Sequence, residues 1–113
     1  MVISFNDIGQ VCVSFAVDGN LQVGEPCKMS RSSTVIRGAE GDVFIGKVMA
    51  VRDNMATIAV KGCTALPYTG NLIPIGYTKL SCDGNGAVCT NAEGKEYLVI
   101  AVDPINHMVT VLL

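Results

Sequence analysis

The segment Tyr97-Leu98-Val99-Ile100-Ala101-Val102 is apolar on both faces of any strand it forms, and Met108-Val109-Thr110-Val111-Leu112-Leu113 is nearly so. A strand with one wet face alternates apolar and polar residues with period two. These two runs do not alternate, so each face should meet an inner core or another chain. The chain has 113 residues, enough for one domain over 1–113. A monomer of that size hides roughly two-thirds of the surface its unfolded chain exposes. Half of the residues are hydrophobic and only 16% are charged, against about 25% in an average soluble domain. The surplus of apolar side chains therefore predicts self-association, a homo-oligomer. No stretch approaches the roughly 18 unbroken apolar residues of a membrane helix, so no membrane partner is expected. Met1-Val2-Ile3-Ser4-Phe5-Asn6-Asp7 lacks a basic region followed by a long apolar one, so no signal peptide is expected.

The charge balance narrows the partners further. The formal net charge is −2, and the eight Lys and Arg residues are scattered. Nucleic-acid binders concentrate basic residues, because neutralising phosphates supplies most of the affinity. With three Phe, three Tyr and no Trp, stacking platforms are scarce as well. Direct nucleic-acid binding is not expected. The five cysteines, Cys12, Cys27, Cys63, Cys82 and Cys89, are odd in number and irregularly spaced, with no C-x-x-C pair for zinc or redox work. They read as reduced, mostly buried small hydrophobes. A disulfide such as Cys82–Cys89, across a turn, is left open, since sequence does not fix the Cα geometry.

Short Val-, Ile-, Thr- and Tyr-rich runs alternate with twelve glycines. That pattern predicts an all-β fold, a compact barrel or sandwich of about eight to ten short, mainly antiparallel strands. No window shows a helical period with capping signals. Strands are expected at Val11–Val17, around Cys27–Met29, at Thr34–Arg37, Phe44–Arg52, Met55–Lys61, Tyr77–Ser81, Ala87–Thr90, Tyr97–Val102 and Met108–Leu113. Ser30 to Ser33 reads as a polar connection. Asp18-Gly19-Asn20, Asp53-Asn54 and Asp83-Gly84-Asn85-Gly86 supply turn chemistry. Val48 and Ala50 share a parity with Phe44. Cys63 to Tyr77, with Pro67 and Pro74, is the least strand-like region, read as an ordered loop with Tyr68 packing back. No internal repeat or linker is evident.

The residues show no catalytic or metal-binding constellation. His107 is the only histidine and falls in a turn, so a triad or Cys–His pair has little to work with. No basic cluster flanks Cys27, Cys63 or Cys89 to activate a thiol. Most acids sit at turns, where carboxylates cap backbone N–H groups. Asp83-Gly84-Asn85-Gly86 lacks the distal Glu and most ligand spacing of a calcium loop. Lys28, between Cys27 and Met29, reads as a solvated strand lysine. The expectation is a protein with no enzymatic activity, cofactor or metal. A small-molecule or glycan-binding β module is the alternative, with Tyr68 and Tyr77 flanking the Pro-rich loop as a ligand wall.

Three stretches carry a resemblance: Val23-Gly24-Glu25-Pro26-Cys27-Lys28-Met29, Gly41-Asp42-Val43-Phe44-Ile45-Gly46-Lys47-Val48 and Ala56-Thr57-Ile58-Ala59-Val60-Lys61-Gly62. Their order resembles that of small β-rich proteins encoded among phage and prophage head genes. That group includes capsid decoration or head-stabilising proteins and phage proteins formerly labelled recombinase-like. The resemblance spans roughly residues 20–66 and rests on glycine and valine patterns. It implies a structural virion component, made in the bacterial host cytoplasm, often trimeric, seated on the lattice of the major capsid protein. It implies no catalytic residues. An apolar cluster of Phe44, Tyr97, Val99, Val109, Val111 and Leu113 is the expected interface, since permanent interfaces are more apolar than ordinary surface.

Overall fold

The computed structural model describes residues 9–113. The stretch Met1–Asp7, read above for a leader, lies outside the described residues. The fold is all-β, with ten strands in two mostly antiparallel sheets. They are β1 (Val11–Val17), β2 (Pro26–Arg31), β3 (Thr34–Arg37), β4 (Gly46–Arg52), β5 (Met55–Lys61), β6 (Cys63–Pro67), β7 (Gly76–Cys82), β8 (Val88–Thr90), β9 (Lys95–Asp103) and β10 (Met108–Leu112).

The first five strands close into a barrel in the order β1-β3-β2-β4-β5. Leu21, Cys27, Val35, Val48, Ala56 and Ile58 fill it. β-Branched residues recur in β1, β3, β4 and β5, where they pack well on a pleated, half-buried surface. The turns follow their residues. Asp53 at φ 56° reverses β4 into β5, and Ser33 at φ 56° reverses β2 into β3. Ser30 and Arg31, expected in a connection, extend β2 instead, and the reversal takes only Ser32 and Ser33.

The second sheet has the order β6-β10-β9-β7-β8. Tyr68 bridges to Val88, and Thr69 N donates to Val88 O at 2.9 Å, so its two edges nearly meet. Phe44, Leu66, Tyr68, Ile73, Leu80, Cys82, Val88, Tyr97, Val99, Val109 and Val111 form its core. The expected loop at Cys63–Tyr77 is in part a strand, since β6 pairs with β10 over five residues. Pro67 is tolerated because it closes an edge strand. Tyr68 does pack back, as expected, and is buried.

Three ties hold the two halves together. Gly62 alone separates β5 from β6; at φ 93° it lets Gly9 and Gln10 pass where a Cβ would lie within 2.7 Å of the Gln10 backbone. Gly41 N donates to Cys82 O and Cys82 N to Asp42 O, at 2.9 and 2.8 Å. Phe44, expected on the outgoing hairpin arm, precedes β4 and inserts into the second core. A register shift between Val48 and Ala50 then breaks the expected parity, so Val48 is buried and Ala50 exposed.

Candidate interaction surface

The six residues expected to form an interface are gathered by the fold, but inward. Phe44, Tyr97, Val99, Val109 and Val111 are buried in the second core, and Leu113 packs against it. They face one another within one subunit and offer no contact face to a second. The correction follows from sheet geometry. Val99 lies opposite Val111 and Val102 opposite Val109 on the closing strands, and both rows pack into or against the second core.

The opposite face of these strands is where the apolar surplus remains. Register places Tyr77 beside Leu98, Leu98 beside Leu112, and Leu112 beside Cys63. This row crosses four strands. Tyr77 is 73% exposed and Leu112 41%, while Leu98 is half-buried. The next row, Ala65–Thr110–Ala101, is small and uncharged. Lys79 faces Glu96 on one side of the apolar band, and Asp103 faces Met108 on the other. An apolar centre with a charged rim is the anatomy of a protein–protein contact surface.

Two exposed aliphatic side chains stand at one end of this sheet. Ile75 directly precedes β7, and Thr78 Oγ1 donates to Pro74 O at 3.0 Å, holding that loop. Ile105, 86% exposed, tops the β9–β10 turn. Asp103 fixes this turn: its carboxylate accepts from the backbone of Ile105 and Asn106 and from Asn106 Nδ2. These bonds, with the Asn106 side chain foremost, hold the Asp103 carboxyl below the usual carboxylate range. Sequence reading missed Leu98 and Leu112 as surface residues. The available signal was their parity, opposite to Tyr97, Val99, Val109 and Val111.

The remaining chemistry is structural. Burial pushes the Cys27 and Cys82 thiols up to about 12, with the nearby Cys82 thiol adding to the effect on Cys27 and Asp42 and Asp83 to that on Cys82. Both stay protonated near neutrality, so neither is a ready nucleophile. Cys82 lies opposite Val88 and Cys89 opposite Ser81, so the two cysteines face opposite sides of the hairpin and are unpaired. Beside Cys89 lies a cavity of about 440 Å³, lined by Glu40, Ser81 and Asn91 among others. Asn91 Nδ2 donates to Ser81 Oγ at 3.1 Å, which commits that amide to the fold. His107, at φ 53°, is exposed and its ring contacts Tyr68 at 5.6 Å. Lys28 pairs with Asp42 at 2.5 Å. Among the described residues, no group of three or more His, Cys, Asp or Glu side chains could hold a metal ion.

The expected Tyr68–Tyr77 ligand wall does not form. Tyr68 is inside the second core, and Tyr77 stands on the outer face of the same sheet. No family model and no curated protein matches the chain.

Proposed function

We propose that this chain is a non-enzymatic structural protein, a phage- or prophage-type capsid decoration or head-stabilising protein that associates with itself and binds the major capsid lattice. The observation that carries the reading is the Tyr77–Leu98–Leu112 band, an uncharged strip on a rigid sheet with charged residues at its margins. A decoration protein needs a stiff scaffold and an apolar docking face, and two packed β cores supply the stiffness. The resemblance across residues 20–66 supplies the partner class. Assembly would place the protein in the virion after synthesis in the host cytoplasm.

Co-sedimentation tests this reading. Purified protein is mixed with empty shells assembled from the major capsid protein of the genome that carries this gene. Saturable binding at a fixed number of copies per shell is expected. Absence of binding at micromolar concentration contradicts it.

A further inference from the structure

We infer that the outer edge of β1 is a docking edge for the same strand of a second copy, added antiparallel about Val13. The inference extends the proposed function, which requires copies to associate without saying through which strand.

β1 pairs with β5 from Val11 to Ala16, but with β3 only at Ala16 and Val17. The barrel is therefore closed by β3 at one end only, and among the described residues no strand lies against Val11–Phe15 on that side. Backbone direction is fixed at the pinned end. Ala16 N donates to Ser33 O and Asp18 N to Val35 O, both at 2.9 Å, whereas Val17 N turns the other way to Asn54 O. Alternation then aims the peptide groups of Ser14 and Cys12 toward the side where β3 no longer runs. No described residue pairs with that edge. Val11 and Val13 are 49% and 41% exposed, and Cys12 and Ser14 are exposed too.

Natural sheets guard such edges with lysine, proline, very short strands or a covering segment. The second sheet does so: β6 ends in Pro67, β8 is three residues long, and Tyr68 bridges the gap. β1, Val-Cys-Val-Ser-Phe-Ala-Val, carries no charge and no proline. Among the described residues nothing guards this edge, and an uncharged, β-prone edge of that kind is a template for another strand.

The pattern selects a copy of itself. Antiparallel pairing about Val13 sets Cys12 opposite Ser14 of the second copy, and Ser14 opposite its Cys12. These are the residues whose peptide groups face outward, so each pair exchanges two hydrogen bonds. Val13 meets Val13 in the closer, non-hydrogen-bonded position, and Val11 meets Phe15. Aromatic–β-branched and β-branched pairs are the favoured cross-strand neighbours. The free edge is used completely, because at Ala16 the next pair would meet β3.

The register makes the test specific. In a hydrogen-bonded antiparallel pair the Cα atoms stand about 5.5 Å apart, inside disulfide range. The diagonal Cys12–Cys12 separation is about 7–8 Å, at or beyond its limit. Ser14→Cys under mild oxidation should give a covalent dimer, and peptide mapping should find the link between the introduced thiol and Cys12. The unmodified chain should give no Cys12–Cys12 link. Absence of the Ser14→Cys link, or equal linking of the unmodified chain, overturns the inference. Ser14→Pro removes an outward N–H and spares the β5 ladder. It should weaken association at least about tenfold by analytical ultracentrifugation, with its circular dichroism unchanged. If the unmodified chain associates and neither variant responds as stated, the β1 edge is wrong and the capsid reading stands. A chain that stays monomeric throughout, with no link, overturns the β1 edge and the self-association in the proposed function together.

Discussion

The Tyr97 hydroxyl donates to the Phe44 carbonyl at 2.5 Å while the two rings stack, centroids 4.3 Å apart and planes within 4°. Phe44 comes from the segment leading into the barrel, and Tyr97 from β9 of the second sheet. One residue pair thus ties the two halves through both ring packing and a buried hydrogen bond. Burial pushes the Tyr97 hydroxyl up, and the nearby Cys82 thiol adds to the effect, so the phenol stays a donor.

Removing that hydroxyl leaves a buried carbonyl without its partner. Tyr97→Phe should cost about 1–3 kcal/mol, with the fold intact. Phe44→Ala, which opens a cavity in the second core, should cost about 3–5 kcal/mol. Urea unfolding measures both. A loss below about 0.5 kcal/mol for Phe44→Ala, the scale of an ordinary surface change, would show that this residue does not join the halves.

An ion pair on the barrel side meets the β7–β8 turn of the second sheet. Glu25 is buried; Arg37 Nη2 lies 2.6 Å from its Oε2, and Gln22 N donates to its Oε1 at 2.8 Å. Gly86, at φ 91°, sits so close that a Cβ there would lie 2.4 Å from Glu25 Oε2. Gly86→Ala should destabilise by about 1 kcal/mol or more, from left-handed strain and displacement of the carboxylate. Combined with Glu25→Ala, the effect should be smaller than the sum, because the clash disappears. Strict additivity in a double-mutant cycle would refute the contact.

The two raised thiols set the alkaline limit. Cys27 and Cys82 move from an ordinary value of 9.0 to about 12 in the folded protein. Between those values the unfolded chain has released protons that the folded chain retains, so rising pH favours unfolding. Stability should be level with respect to these groups below about pH 9 and fall as pH rises toward 12. Cys27→Ala should flatten that slope in chemical denaturation measured against pH.

On the acid side, the Lys28 ammonium and the Ala39 N–H hold Asp42 below the usual carboxylate range. Burial raises Asp83, but hydrogen bonds from Asn85 N, Thr69 and Ala87 N outweigh it and leave that carboxyl low. Here the unfolded chain takes up protons first, so the stabilisation is present above the ordinary value of 3.8 and is lost as pH falls through the lower folded values. Asp83→Asn should reduce the acid dependence of the melting temperature. An unchanged acid limb would show that these carboxylates are not bonded as described.

Much of the fold was legible because strands and turns have local signatures. Val11–Val17, Thr34–Arg37 and Met55–Lys61 are bounded as their sequence predicts. Two features were not legible. β6 was hidden because Pro67 argues against a strand, yet its five-residue pairing with β10 is a long-range contact that no local window contains. The inward placement of the residues expected at an interface was not legible because apolar parity says that two faces differ, not which one is inside. The side on which the second core packs decides that, taking Val99 and Val111 inward and leaving Leu98 and Leu112 off the core.

The outer band gives the most direct measurement. Tyr77 and Leu112 are exposed and lie outside the core, so Tyr77→Glu with Leu112→Glu should leave the fold stable within about 1 kcal/mol, as surface changes generally do. Co-sedimentation of this double variant with capsid shells, beside the unmodified chain, is the decisive comparison. Binding should fall at least about tenfold, the equivalent of roughly 1.4 kcal/mol. Undiminished binding by a folded double variant would contradict the assignment of this face as the docking surface.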